Sequence, residues 1–284
     1  MTLLTKSMRT TTLPSGEAVP VLGQGTWHLA EGRRPRAQEI VALQVGLDLG
    51  MTLIDTAEMY ANGGAEELVG EAIAGRRDEV FLVSKVLPSH ATRRGTVAAC
   101  EHSLQRLRTN RLDLYLLHWP GTVPLERTLA GFSDLLEAGK IRYWGVSNFD
   151  RSAMLELETL PGGEAVTTDQ VLYNLTRRGI EYDLLPWCRE QNIPVMAYSP
   201  IEQGRLLDHP VLKRIAQHHQ ATPAQVALAW VLRQDGIIAI PQAGDPSHVL
   251  ENHGALDVKP TTRDLEALDQ AFPPPRGPEP LDML

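Results

Sequence analysis

The chain has 284 residues, of which 43% are hydrophobic and 22% charged, a composition ordinary for globular proteins that excludes wholesale disorder. The length corresponds to roughly two domains of about 150 residues, or to one α/β barrel of about 250 residues. A formal net charge of −8 repels phosphate backbones and anionic lipid surfaces, which argues against nucleic-acid and membrane partners.

The cysteines and the amino-terminal segment indicate a compartment. Cys100 and Cys188 stand far apart in the sequence and form no Cys-x-x-Cys pair, which suits a reducing environment. The segment around Lys6 and Arg9 contains no apolar stretch long enough for a signal peptide, and no later run approaches the about 18 apolar residues of a membrane span. We therefore expect a cytoplasmic protein.

The first predicted element is a hairpin that could act as a lid or plug, formed by Thr10–Leu13 and Ala18–Leu22 around a turn at Pro14, Ser15 and Gly16. Short runs rich in Val, Ile and Leu follow it and predict strands buried on both faces. These predicted strands are Gly23–Thr26, Thr52–Asp55, Val80–Lys85, Leu112–His118, Ile141–Ser147, Val166–Gln170, Pro194–Tyr198 and Ile237–Ile240.

Segments with helical periodicity alternate with these strands. The predicted helices are Arg36–Leu49, Glu66–Ala74, Thr92–Leu107, Leu125–Ala138, Arg151–Leu157, Leu184–Asn192, Ala224–Leu232, Pro246–Gly254 and Thr262–Phe272. Strand–helix units without a linker predict an α/β fold, a (β/α)₈ TIM barrel, with residues 1–284 as one domain. The short, proline-rich C-terminal extension after Phe272 cannot continue a helix, and we expect it to trail over the surface or rim.

Polar residues end several of the predicted strands, at the barrel face where active sites form. Asp55, Lys85 and His118 follow apolar runs on neighbouring strands, and Tyr60 lies on the loop after Asp55. A lysine beside a phenol lowers the phenol pKa, so we expect Tyr60 to donate a proton close to neutral pH. Asp55 would be the counter-ion of Lys85, and His118 would orient a substrate oxygen.

The sequence lacks the residues that several other reaction types require. No nucleophile stands beside a base, and Gly23-Gln24-Gly25 has no third glycine for a dinucleotide fingerprint. The histidines His209, His218 and His219 lie in a polar helical stretch without a carboxylate partner, which indicates a solvated face rather than a metal site. Acid–base groups without a nucleophile or metal indicate that a cofactor supplies the electrons.

Several motifs make the sequence resemble the aldo-keto reductases, a family of barrel enzymes that use nicotinamide cofactors, along nearly the whole chain. They are Gly50 to Tyr60 with Asp55-Thr56-Ala57-Glu58-Met59-Tyr60, Val83-Ser84-Lys85, Leu116-Leu117-His118-Trp119-Pro120, Gly139-Lys140-Ile141-Arg142 and Gly145-Val146-Ser147-Asn148-Phe149. Two motifs are most similar to a bacterial branch of the family that is associated with methylglyoxal reduction. They are Asp55-Thr56-Ala57-Glu58-Met59-Tyr60 and Leu184-Leu185-Pro186-Trp187-Cys188.

The resemblance implies NADP(H)-dependent reduction of small aldehydes and ketones, with Asp55, Tyr60, Lys85 and His118 as the catalytic tetrad. Many relatives are monomers, which implies a monomer here. Many eukaryotic members carry a longer C-terminal loop over the pocket, so the resemblance implies a short rim and an open site for this chain. Further positions match the family's binding residues: Ser147, Asn148 and Gln170 for the nicotinamide carboxamide, Tyr198 for the nicotinamide ring, Ser199, Pro200, Ile201 and Arg205 for the pyrophosphate, and Trp27 and Trp119 for the substrate.

The positions that match the family's adenosine site depart from its pattern. The family reads Ile-Pro-Lys-Ser, with an Arg six residues after the Lys and then Glu-Asn. This chain has Ile240, Pro241, Gln242 and Ala243, then His248, then Glu251 and Asn252. Both permanent cations for the ribose 2′-phosphate are missing, which weakens discrimination against NAD(H). NADP(H) stays the expected cofactor, with NAD(H) as the alternative.

Two other functions fit parts of the sequence. Lys85 near Tyr60 at a strand end also suits a Schiff-base lyase, although pairing with Asp55 would keep the amine protonated and poorly nucleophilic. The chain could also be a cofactor-binding regulatory protein with little turnover, although an intact tetrad argues against that.

Overall fold

The structure, a computed structural model, describes residues 8–284. A parallel eight-stranded sheet forms its centre, with strands in sequential order. The strands are β3 (Gln24–Gly25), β4 (Leu53–Asp55), β5 (Phe81–Val86), β6 (Leu112–Leu117), β7 (Ile141–Ser147), β8 (Asp169–Leu172), β9 (Val195–Tyr198) and β10 (Ile237–Ala239). Parallel bridges from Leu22 to Ala239 and from Gly25 to Gln242 close the sheet into a barrel, confirming the predicted fold class.

Helices surround the barrel. They are α1 (Arg36–Asp48), α2 (Gly64–Ala72), α3 (Arg93–Arg106), α4 (Leu125–Glu137), α5 (Arg151–Glu158), α6 (Leu184–Glu190), α7 (Pro210–His218), α8 (Pro223–Leu232), α9 (Pro246–Gly254) and α10 (Thr262–Ala271). Helix α8 shows how local sequence fixes an end: Thr222 accepts from the Gln225 amide while the Gln225 side chain accepts from the Thr222 amide, and Pro223 occupies the first turn.

The amino-terminal hairpin closes the bottom of the barrel and is therefore a plug. Its strands are β1 (Thr10–Thr12) and β2 (Ala18–Pro20). Leu13 and Val19 are buried and pack with side chains inside the barrel, such as Leu53. An isolated two-stranded hairpin is at best marginally stable in water, so this packing holds it in place.

An ionic cluster at the same end ties the hairpin to the barrel wall. The buried carboxylate of Asp113 accepts from Arg77 at 2.8 Å, from Arg142 at 2.9 Å and from the Leu82 amide at 2.9 Å. Arg142 also pairs with Glu17 of the hairpin. A buried carboxylate requires such partners, so the bottom of the barrel is a structural end rather than a second site.

Most observed elements begin and end within two residues of the predicted ones, and two differences are larger. Strand β8 begins at Asp169 and continues past Gln170, because Val171 and Leu172 still pair with β9. Helix α7 has buried apolar residues at Leu212 and Ile215, so the stretch described as a polar helix is amphipathic.

No helix in residues 8–284 is long and apolar enough to cross a membrane. Of the amino-terminal residues used above, Lys6 lies outside the described residues. The assignment of residues 1–284 to one domain stays a prediction.

The plug generates a stability prediction. Leu13→Ala should lower the free energy of unfolding by about 2–5 kcal/mol, because it removes a buried side chain and leaves a cavity inside the barrel. The neighbouring exposed change Thr12→Ala should alter it by less than about 0.5 kcal/mol. Urea unfolding of both variants measures the difference, and equal stability would show that the plug contributes nothing.

Candidate active site

A cavity of about 460 Å³ opens at the carboxyl-terminal end of the barrel. Neighbouring strands place a polar side chain there: Asp55 ends β4, Lys85 is the next-to-last residue of β5, and His118 directly follows β6. Parallel strands deliver their carboxyl ends to one face, so side chains distant in sequence converge. The predicted convergence of Asp55, Tyr60, Lys85 and His118 is present in the structure.

The ammonium of Lys85 is fully buried and uses all of its hydrogens. Nζ donates to Asp55 Oδ2 at 2.8 Å, to the Thr56 carbonyl at 2.9 Å and to the Tyr60 hydroxyl oxygen at 3.0 Å. Burial alone lowers the pKa of Lys85, but the Asp55 carboxylate and the Tyr60 oxygen outweigh burial, and the pKa is raised. The side chain is therefore a fixed cation.

Burial raises the pKa of Tyr60 above its ordinary value, and the nearby Lys85 ammonium only partly opposes this effect. The expectation of a lowered pKa was wrong in sign, because it counted the cation without the desolvation of the phenolate and without Asp55, which also raises the pKa. The phenol is consequently fully protonated at neutral pH. A protonated phenol is what a proton donor requires.

His118 is a neutral imidazole. Burial, followed by the Lys85 ammonium, lowers its pKa to about 2. Its ring stands edge-on to the Tyr60 ring with centroids 5.7 Å apart, and its buried Nδ1 has no hydrogen-bond partner among the described residues. A neutral ring at this position can hydrogen-bond a substrate oxygen without competing with Tyr60 as the acid.

The residues matched to the nicotinamide carboxamide form one hydrogen-bond network. Ser147 Oγ donates to the Gln170 carbonyl at 2.7 Å, Asn148 Nδ2 donates to Ser147 Oγ at 3.1 Å, and Tyr198 donates to Asn148 Oδ1 at 2.9 Å. Gln170 Nε2 donates to Asp55 Oδ1 at 2.8 Å. The network thus shares one carboxylate with Lys85.

The loop after β9 contributes Ser199, Pro200 and Ile201 to the cavity. Arg205 is not part of the lining: its guanidinium pairs with the buried Glu202 at 3.1 Å, and Gln203 lines the cavity instead.

The cavity reaches the adenosine-end motif through Ile240 and Gln242. Four residues of the motif lie outside the lining: Ala243, which precedes α9, and His248, Glu251 and Asn252, which lie within it.

Trp27 and Trp119 both line the cavity, as expected, together with Met59. The carboxyl-terminal tail also returns to it, because Met283 and Leu284 are part of the lining. The proline-rich segment therefore crosses the surface and brings apolar side chains back to the rim, while the open site stays a prediction.

Sequence analysis did not predict the buried contacts that support β5 next to Lys85. The fully buried Glu66 of α2 accepts from Ser84 of β5 at 2.6 Å and pairs with Arg106 of α3 at 2.6 Å. Glu66 lies six residues after Tyr60 in the sequence, but its partners become adjacent to it only in the folded barrel.

The two cysteines and the histidines of α7 and its end lie outside the cavity lining. The thiols of Cys100 and Cys188 are buried, and burial raises the pKa of Cys100 to about 12, so neither is a reactive thiolate at neutral pH. His219 Nε2 lies 2.8 Å from Asp264 Oδ2 of α10. The expectation that these histidines have no carboxylate partner was wrong, because the partner comes from a distant helix.

The Aldo/keto reductase family model matches residues 21–272. The chain belongs to the aldo/keto reductase family.

Relatives and solved structures of this family cover nearly the whole chain. It is 52% identical over 272 residues to methylglyoxal reductase YeaE of Escherichia coli strain K12, covering 94% of this chain and 96% of that protein. It is 35% identical to glyoxal reductase of Bacillus subtilis strain 168, covering 97% of each. The crystal structure of an aldo/keto reductase from Klebsiella pneumoniae in complex with NADP and acetate has a TM-score of 0.95 at 49% identity, covering 98% of this chain and 100% of that one.

The neutral His118 of this aldo/keto reductase predicts a pH effect on stability. Its pKa falls from about 6.5 in the unfolded chain to about 2 in the folded one. Between these values the unfolded chain binds the extra proton, so the His118 contribution weakens as pH falls, by up to about 1.4 kcal/mol per pH unit.

His118→Gln should therefore reduce the loss of unfolding free energy between pH 6.5 and about 4.5. The control His248→Gln removes an exposed histidine and should leave the wild-type slope. Urea unfolding across this range measures both slopes, and identical slopes for wild type and His118→Gln would contradict a depressed pKa.

Proposed function

We propose that this aldo/keto reductase reduces small aldehydes and ketones to alcohols with NADPH, and that Tyr60 is the general acid. The observation that carries the proposal is the 3.0 Å hydrogen bond from Lys85 to the Tyr60 oxygen. Because Lys85 donates this bond, the phenol keeps its own hydrogen for a substrate oxygen.

The cavity residues fit a nicotinamide dinucleotide. The Tyr198 ring and the amides of Asn148 and Gln170 share one cavity, and an aromatic ring with amide groups suits a flat ring carrying a carboxamide. The same cavity continues to Gln242, as an extended dinucleotide requires. When bound, a reduced nicotinamide supplies the hydride that no side chain here can provide.

The proposed tetrad supplies the proton. Tyr60 transfers its hydroxyl hydrogen to the oxygen of the reacting carbonyl, and the Lys85 ammonium at 3.0 Å stabilises the phenolate that remains. Asp55 keeps Lys85 in place. His118, neutral and at the cavity wall, donates a hydrogen bond that orients the same oxygen.

Small or varied carbonyl compounds are the proposed substrates, with methylglyoxal as the first to test. Trp27, Trp119 and Met59 give the cavity an apolar wall, and Met283 and Leu284 reduce the space above it. The printed names of the Escherichia coli and Bacillus subtilis relatives point to methylglyoxal and glyoxal.

The alternatives fit the geometry less well. A Schiff-base lyase needs a neutral amine, whereas Lys85 donates to three acceptors and has a raised pKa. Borohydride added with substrate should therefore trap no covalent adduct. A regulatory protein with little turnover would not need the assembled tetrad, and a turnover assay separates it from an enzyme.

The cofactor preference, the oligomeric state and the cellular location are proposed on further grounds. We propose NADP(H) as the preferred cofactor over NAD(H), a monomer because the proposed site draws every residue from one chain, and a cytoplasmic location in line with two buried, unpaired cysteines.

Tyr60→Phe should lower kcat for methylglyoxal or a nitrobenzaldehyde by about 10²–10⁴-fold, because it removes the transferred hydrogen. NADPH binding, followed by fluorescence titration, should change by less than about threefold. Tyr182→Phe, which changes an exposed tyrosine, should keep full activity. Undiminished turnover in Tyr60→Phe would reject Tyr60 as the acid.

Gln242→Lys should tighten NADPH more than NADH, because a charge-assisted hydrogen bond is roughly twice as strong as a neutral one. Titration of each cofactor against wild type and variant gives the ratio of the two changes. Equal changes would place the 2′-phosphate away from Gln242.

A further inference from the structure

The adenosine end of the cavity lacks the charge that a 2′-phosphate needs. Gln242 lines the cavity but is neutral, and His248 carries no permanent charge and lies outside the lining. A phosphate monoester carries a charge of about −1.5 to −2 at pH 7. If this enzyme prefers NADP(H), as proposed above, another cation must neutralise that charge.

The loop between β3 and α1 brings arginines to this end. Arg33 and Arg34 both line the cavity that contains Gln242. A Cβ added to Gly244, two residues after Gln242, would lie 3.4 Å from Arg34 Cδ. The absence of a side chain at Gly244 thus leaves room for the Arg34 stem beside the adenosine-end motif.

The two arginines differ in their partners. Arg33 Nη2 lies 2.9 Å from a Glu31 carboxylate oxygen and 3.1 Å from His28 Nδ1. Arg34 makes no ion pair or side-chain hydrogen bond within residues 8–284. The nearby carboxylate of Asp245 accepts from Gln38 and caps α9. The Arg34 charge is close enough to contribute to the lowered pKa of Asp245. Because no carboxylate forms a direct ion pair with Arg34, its guanidinium keeps its hydrogens for an anion in the cavity.

Two features restrain the backbone on either side of Arg34. The Ala30 amide donates to the buried Glu39 of α1 at 3.0 Å. Pro35 follows Arg34 directly and restricts the backbone at the entry to α1. A restrained backbone reduces the conformational entropy that the loop loses when a phosphate binds.

From these observations we infer that Arg34 binds the 2′-phosphate of NADP(H), replacing the cation missing at Gln242. The inference rests on the proposed function. It assigns cofactor selection to the loop after β3 rather than to the motif after β10 alone.

The test compares Arg34→Gln with the matched variant Arg33→Gln, using the full chain. Dissociation constants for NADPH, NADH and 2′,5′-ADP are measured by calorimetry at fixed ionic strength, with circular dichroism as the folding control. A hydrogen bond to a charged group contributes about 1.5–3 kcal/mol, so Arg34→Gln should weaken NADPH and 2′,5′-ADP by roughly tenfold or more.

NADH binding should change by less than about twofold in Arg34→Gln, and Arg33→Gln should leave all three ligands within about threefold of wild type. Adding Gln242→Lys to Arg34→Gln should restore much of the NADPH affinity. An unchanged NADPH constant in Arg34→Gln, an equal loss for NADH, or the same loss in Arg33→Gln would overturn the inference while leaving Tyr60-dependent turnover intact. Wild-type protein that binds neither dinucleotide would instead overturn the proposed function.

Discussion

A buried ammonium at the end of β5 is the constraint around which the top of the barrel is arranged. Removing one partner of a buried ion pair typically costs about 3–5 kcal/mol, so Lys85 needs acceptors on every hydrogen. Asp55, Thr56 and Tyr60 supply them. All three come from the end of β4 or the loop after it, which explains why a short contiguous segment carries so much of the chemistry.

The Asp55 carboxylate also connects two parts of the site. Its Oδ2 accepts from Lys85 and its Oδ1 accepts from Gln170, so the group that fixes the proton donor also fixes an amide of the proposed carboxamide network. The distance between proton donor and ring-binding wall is thus set by rigid strands. Glu66, buried behind β5, steadies the same strand through Ser84.

Sequence periodicity was sufficient for the barrel, because strands buried on both faces and amphipathic helices carry their own signals. Polar strand ends were sufficient to predict that Asp55, Lys85 and His118 lie close together, because the fold brings those ends to one face. The sign of the Tyr60 pKa shift was not accessible, since it depends on how desolvation balances against Lys85 in three dimensions. The return of Met283 to the cavity and the pairing of His219 with Asp264 were equally hidden, since the partners are far apart in sequence.

The hairpin at the bottom gives the barrel a single entrance. With Leu13 and Val19 filling the lower end, no molecule can pass through the interior, and every arrival and departure uses the upper face. The dinucleotide and the carbonyl compound proposed above would therefore have to share one mouth.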